Sequence, residues 1–291
     1  MRKIRESWIR TIAGVFTLVW ISHSPLGAQW IHYPTAGVPR ARDGKPNLSA
    51  PAPRTRDGKP DLSGMWWSAG PTLACPELMG GAKNCAEKGL GLNGQQGADL
   101  PVQAFNIAAG LEGGLPYQSW AREIVGQRSK DSLNDPHSRC LPSNPPRGYV
   151  LPHIQKFVQT DKLLVVLNEF NASYRQIFLD GRPLPDERQP TWNGYSTAKW
   201  DHDWLVIQTV GFRDDLWLDG GGNPLTEAAR MTERIHRPNF GSLEIELTVD
   251  DPKAYTKPWT INLRQFLVLD TELMDEICLE GERSNQHNVV K

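Results

Sequence analysis

The sequence predicts a mainly β protein, an antiparallel meander closed or nearly closed into a calycin- or lipocalin-like barrel. Three observations predict it. Runs that alternate polar and apolar residues recur from Ile154 to Leu269, and a period of two belongs to strands. Short breaks with turn chemistry separate the runs: Asp161-Lys162, Asp180-Gly181-Arg182-Pro183 and Asp201-His202-Asp203. Eight or nine such strands in succession favour closure over an open sheet with exposed edges.

The clearest pair is Tyr195–Trp200 with Trp204–Val210, a hairpin around Asp201-His202-Asp203. Before it come Ile154–Thr160 and Leu163–Glu169, joined by the two-residue loop Asp161-Lys162, and then Ser173–Leu179. After it come Ala228–Arg237, Ser242–Asp250 and Trp259–Leu269. Ser242–Val249 places Leu243, Ile245, Leu247 and Val249 on one side and Glu244, Glu246 and Thr248 on the other, one buried and one wet face. Leu62–Trp67 reads as the first strand.

Ahead of the meander the chain is irregular. Residues 29–63 form a Pro/Gly-rich arm in which RDGKPNLS at Arg42–Ser49 recurs as RDGKPDLS at Arg56–Ser63. Two copies are too few for a stacked solenoid, so the arm is expected to pack along the domain through Asp-Gly and Lys-Pro turns. Residues 64–291 then make one β-rich domain with a loop and helix insert at about 70–135. Within it Asp99–Ala109 is expected as a short helix and Tyr117–Leu133 as a surface helix stopped by Asn134-Asp135-Pro136. Cys140–Arg147 is too Pro-rich for regular structure, and the tail from Glu272 is expected to be partly helical.

Residues 1–28 read as a secretory signal peptide. MRKIRESWIR is basic, TIAGVFTLVWIS is apolar but too short to span a membrane comfortably, and small residues precede Gln29. A periplasmic or secreted protein with no stable membrane span after cleavage is expected. The formal charge is −1; residues 1–28 hold Arg2, Lys3, Arg5 and Arg10 against Glu6, a net +3, which leaves −4 for the remainder. That excludes a basic nucleic-acid footprint. In an oxidising compartment the four cysteines suggest two disulfides. Four cysteines permit three connectivities; Cys75–Cys85 with Cys140–Cys278 is preferred here.

Polar side chains that share an apolar side of a strand are the candidates for chemistry. Glu169 alternates with Leu163, Val165 and Leu167; Glu233 with Ala229, Met231 and Ile235; Arg175 with Ile177 and Leu179. A carboxylate in apolar surroundings has its charged form disfavoured, which raises its pKa toward the range of acid–base work, and an Arg beside it can hold developing charge. Glu169, Glu233 and Arg175 are therefore the candidate catalytic residues, with Tyr174, Trp192, His153 and Tyr195 as candidate ligand contacts. The same pattern also fits a buried ion pair that only fixes strand register. The seven histidines show no H-x-H or H-E-x-x-H spacing, so the sequence predicts no metal and no cofactor. Asp214, Asp215 and Asp219 with Gly220–Asn223 read as a flexible surface loop in preference to a calcium loop.

The succession DGKPDLSGMW, DPHSRCLPSNPPR, RQIFLDGRPLP, WNGYSTAKWDHDWLVIQTVGF, MTERIHR and DDPKAYTKPWT resembles a large family of exported, mostly uncharacterised proteins abundant in soil bacteria such as Acidobacteria. The resemblance spans about residues 55–291 and implies export; it supplies no activity. At His202 and Trp204 the family usually reads Gly and Thr, in a tighter turn. Two function classes follow from the sequence. One is an exported barrel that binds an aromatic, apolar or glycosidic small molecule and acts on it as a cofactor-free lyase, isomerase or hydrolase. The other is a non-catalytic binding or structural protein of the cell envelope. Catalysis requires a carboxylate opening onto a pocket; the structural class predicts a barrel filled by side chains.

Overall fold

A computed structural model describes residues 33–69, 104, 106–130, 132–143, 145–187 and 189–281. The signal segment (1–28), the Cys75–Cys85 pair and most of Asp99–Ala109 lie outside the described residues. So does the tail beyond 281.

The architecture is a closed barrel of nine strands. These are β1 (Gly64–Ala69), β2 (Gln155–Gln159), β3 (Leu163–Asn168), β4 (Tyr174–Phe178), β5 (Tyr195–Asp201), β6 (Trp204–Val210), β9 (Arg230–Asn239), β10 (Ser242–Asp250) and β11 (Trp259–Leu267). Outside it, β7 (Leu216–Trp217) pairs with β8 (Pro224–Leu225) as a small hairpin. The helices are short: α1 (Ser119–Arg128) and the single turns α2 (Pro145–Gly148) and α3 (Cys278–Gly281). The barrel order is β1-β11-β10-β9-β6-β5-β4-β3-β2, and β1 closes it by pairing with both β11 and β2.

Eight of the nine interfaces are antiparallel. The exception corrects a purely antiparallel meander: β4 and β5 run parallel, with Ile177 opposite Ser196 and Phe178 opposite Thr197. The cause lies in the link Leu179–Gly194, whose prolines keep it extended, so it carries the chain back along the barrel before β5 starts. A parallel pair needs such a crossover of about a dozen residues or more. Gly194 closes the link at φ +65°, where a Cβ would stand 2.8 Å from the Val210 carbonyl oxygen and 2.7 Å from Thr209 Cγ2. Gly194→Ala is therefore expected to destabilise by about 1–3 kcal/mol, read as a lower urea midpoint.

The turns at Asp161-Lys162, His202-Asp203 and Phe240-Gly241 gather at one end of the barrel. The β5–β6 hairpin is tight, Asp201 facing Trp204, and His202 takes the positive φ of 54° that a two-residue turn demands. The arm lies at this end, and its sequence duplication is also a structural one. Each copy closes on an antiparallel bridge, Arg40 to Pro46 and Arg54 to Pro60, with a left-handed Gly44 or Gly58 at φ +81° or +80°. The copies differ in attachment: Arg54 grips Asp203 with two bonds of 2.9 and 2.7 Å, whereas the first copy leads to Leu48, whose carbonyl accepts from Gly241 N–H. Buried Arg237 ties the arm down, donating to the carbonyls of Asp61, Ser63 and Phe240.

Strand alternation fills the lumen. Phe157, Leu164, Ile177, Leu205, Ile207, Met231, Ile235, Ile245 and Leu247 are all buried, with Trp66 beside them donating its indole N–H to the Leu62 carbonyl. One face assignment needs correction. In β3 it is Leu164 and Val166 that face inward, while Leu163, Val165 and Leu167 lie half-buried outside. LLVVL is apolar on both sides, so period two alone could not choose between them. Pro145–Leu151 also departs from expectation: α2 forms a helical turn and leads Tyr149, Val150 and Leu151 down as a buried plug at the end of the barrel opposite the arm, called the mouth below.

Residues 33–35 and 270–272 make a separate small unit, in which Thr35 N–H donates to Asp270 Oδ1 (2.9 Å) and Asp270 N–H to Thr35 Oγ1 (2.7 Å).

Candidate functional site

Two of the predicted catalytic residues meet inside the barrel. Arg175 in β4 and Glu233 in β9 point inward, as their strand parity requires, and form a paired set of bonds, Nη1 to Oε1 at 2.9 Å and Nη2 to Oε2 at 2.5 Å. Glu233 is 0% exposed and Arg175 5%. The Tyr149 hydroxyl donates to Glu233 Oε1 at 2.7 Å, and Arg175 also reaches Ser196 Oγ and Thr209 Oγ1. Burial opposes the guanidinium charge, yet Glu233 and Tyr149 more than offset it, so Arg175 is held above its ordinary pKa. Burial, with the Glu233 charge beside it, pushes the Tyr149 hydroxyl well up, so it stays a donor. Glu233, Arg175 and Tyr149 are each 5% exposed or less, the burial that a register-fixing ion pair has.

The third predicted residue, Glu169, has a different setting. It stands just past the end of β3 at the mouth, half-buried, where His153 precedes β2 and Glu276 arrives from the C-terminal segment. One donor atom from each of the three lies within 4.8 Å of the others. His153 Nδ1 is 2.9 Å from Glu276 Oε2; the His153 side chain is 15% exposed and that of Glu276 50%. Local pairing explains the convergence. Glu276 N–H donates to the Glu169 carbonyl (2.8 Å) and Asn171 N–H to the Glu276 carbonyl (2.6 Å), a parallel bridge between Phe170 and Glu276. The Cys140–Cys278 disulfide clamps the same point, and Asn171 fastens both halves, its Nδ2 to the Cys140 carbonyl and its Oδ1 to Cys278 N–H. His137, His153 and Phe170 stack as a ring cluster with centroids 4.4–5.7 Å apart, which fixes the His153 plane.

The electrostatics differ from those of the lumen. Burial, and then the neighbouring Glu276 charge, push the Glu169 carboxyl up to about 7, against a backbone hydrogen bond at Ile154. Burial lowers His153, while Glu276 pulls the other way. Burial also brings His137 down to about 4, with the Arg147 and His153 charges adding to it. Two carboxylates and an imidazole this close can share a proton among themselves, or their lone pairs can hold a divalent cation.

The remaining predicted contacts are dispersed over the outer surface. Tyr174 is 62% exposed on the outside of β4; Tyr195 stacks on Phe178 at 5.3 Å; Trp192 lies under the Arg213 guanidinium at 4.8 Å. Of the seven residues read from sequence, the structure brings Arg175 to Glu233 and His153 to Glu169, and gathers the others at neither place. Sequence reasoning missed Tyr149, Ser196, Thr209, Glu276 and His137. Thr209 alternates with Leu205 and Ile207 and was findable from parity; Glu276 has no periodic signal, and only its place two residues before a paired cysteine points to it.

Asp219 is not in an exposed loop: it is buried at the tip of the β7–β8 hairpin, and its oxygens accept from Ile107 N–H, Asn223 N–H and Asn223 Nδ2. At the arm end a cleft of about 170 Å³, lined by Thr55, Asp57, Gln159, Asp161, Leu179 and Trp200 among others, falls short of the roughly 300–1,000 Å³ usual for small-molecule sites.

No protein-family model matches this chain, and no curated protein is similar to it. The site's own chemistry therefore carries the functional argument.

Proposed function

We propose that the protein is exported and binds a small molecule at the barrel mouth, with Glu169, His153 and Glu276 as the groups that meet it. One observation carries the reading: among the candidate polar groups, this cluster is convergent and also reached by solvent, whereas Arg175 and Glu233 are sealed. The barrel then serves as a rigid scaffold, with its reactive groups on the segments at its rim. The basic start of the sequence and the apolar run behind it support export, and the Cys140–Cys278 disulfide is compatible with an oxidising compartment. The resemblance to exported soil-bacterial proteins points the same way. A carboxylate and an imidazole in mutual reach supply proton transfer of the lyase, isomerase or hydrolase kind. His137 and Phe170, packed beside His153, favour a ligand with a flat or apolar part.

Thermal stability of the protein across a library of aromatic compounds, glycosides and lipids tests this, with Glu169→Gln beside wild type. We expect one chemical class to raise the melting temperature of wild type and to lose that effect in the folded Glu169→Gln variant. Incubation of that ligand with both proteins then reads turnover. A filled lumen favours the second reading, a non-catalytic envelope protein attached through its duplicated arm. That reading prevails if no class shifts the transition.

A further inference from the structure

We infer that the mouth cluster is a divalent-cation site, with His153, Glu169 and Glu276 as its three protein ligands and a first-row cation of the zinc type as its occupant. The inference rests on the mouth being the functional site and adds the ligand that engages it first. Four observations on the geometry lead there.

The donor set is of the right kind and number. Sites that keep an open coordination position use three protein ligands, and imidazole nitrogen and carboxylate oxygen are both donors that zinc takes. The imidazole nitrogen favours zinc or its first-row neighbours over calcium and magnesium, which take oxygen donors. The spacing is close to what a metal needs. Bonds of about 2.0–2.2 Å to a tetrahedral zinc put its ligand atoms about 3.3–3.6 Å apart, so a pair as far apart as 4.8 Å must close by about 1 Å while His153 Nδ1 and Glu276 Oε2, at 2.9 Å, open by about 0.5 Å. Glu276, half-exposed at its tip, has the freedom to supply most of that movement.

The cluster is also built, in the sense that separate devices hold each ligand. The stack on His137 and Phe170 orients His153, the end of β3 fixes Glu169, and the disulfide with the Asn171 bonds holds the Glu276 segment against Glu169. Finally, the charge is unbalanced. Two carboxylates converge on a single imidazole, and a cation between them relieves a repulsion that the fold otherwise imposes. His153 and Glu276 already touch through the atoms a metal would take, so binding exchanges that contact for two metal bonds. A cation held by these three ligands would keep a coordination position free, which an oxygen of the small molecule could complete.

Isothermal titration calorimetry of chelator-treated protein with zinc chloride tests the inference, with manganese and calcium chloride as comparisons. We expect one zinc per chain and weaker heats for calcium. Glu169→Gln and His153→Ala should each weaken zinc binding about tenfold or more, since even outer partners of a metal ligand change affinity by about 10–100-fold. Glu276→Gln, at a half-exposed side chain, should do the same and keeps the test valid if a buried variant fails to fold. His202→Ala, at the opposite end beside Asp201, should leave binding unchanged. No zinc binding, or equal binding in all four variants, overturns the proposal. Repeating the thermal-shift library on chelated protein separates the two readings. Small-molecule shifts that persist without zinc but vanish in Glu169→Gln keep the mouth site and remove the metal; the loss of both leaves neither.

Discussion

Glu233→Gln should lower the stability of the folded protein by about 3–5 kcal/mol, because it strips the partner from a guanidinium that has no access to water. The wild-type pair is worth far less than that figure suggests. Desolvating two charges offsets most of their attraction, and the bonds from Tyr149, Ser196 and Thr209 are what make the arrangement tolerable in a packed barrel. The cost therefore belongs to the charge left behind. A double variant separates these terms: Arg175→Met with Glu233→Gln should recover much of the loss, since neither residue is then an unpaired buried ion. Tyr149→Phe removes one donor and keeps the ring in the plug, so about 1–2 kcal/mol is expected. Urea midpoints of the four proteins at constant m-value give the answer. A Glu233→Gln variant as stable as wild type would mean that water reaches Arg175 and that the lumen is open. That result would also return Glu233 to the list of ligand-facing groups.

How far the sequence reveals the fold depends on which forces are local. All nine barrel strands are legible in the sequence, most of them as alternating runs, because one wet and one buried face imposes period two wherever a strand is half-exposed. β10 shows it best, Leu243 to Val249 buried and the intervening residues at the surface. β3 fails the same test, since Leu163, Val165 and Leu167 are apolar on the outside as well, and they are why Glu169 reads in the sequence as sharing an apolar side. The parallel β4–β5 pair was equally hidden: nothing in YRQIF or YSTAKWD declares direction, which is set by the path of the link between them. The site is legible in part for the same reason. Arg175 and Glu233 could be read from parity, but their closure by Tyr149 depends on a Pro-rich turn with no period at all. The mouth cluster joins residues from three distant stretches, and only the expected Cys140–Cys278 bond ties those stretches together in the sequence.

That bond carries the second large prediction. Replacing Cys140 and Cys278 by Ser should cost about 2–5 kcal/mol. The loop-entropy relation gives about 5 for a separation of 138 residues, and measured losses are often smaller because unfolded chains keep some structure. The loss should be uneven over the molecule. β11 is held by its ladder to β10 and by β1, with or without the disulfide, so the barrel stays closed. The segment from Leu273 to Gly281 has much less to hold it: the bridge at Phe170, the bond from Cys278 N–H to Asn171 Oδ1 and the His153–Glu276 contact. Without the covalent clamp it should open at a fraction of the global unfolding energy, which hydrogen exchange would detect as rapid loss of protection at Glu276 and Asn171 N–H, with protection in β10 preserved. Opening there moves Glu276 away from His153 and Glu169. The double-Ser variant should then lose affinity for whatever occupies the mouth while the barrel remains folded. Unchanged exchange at Glu276 would show that hydrogen bonds alone hold the mouth together, and the disulfide would then act only on the unfolded chain.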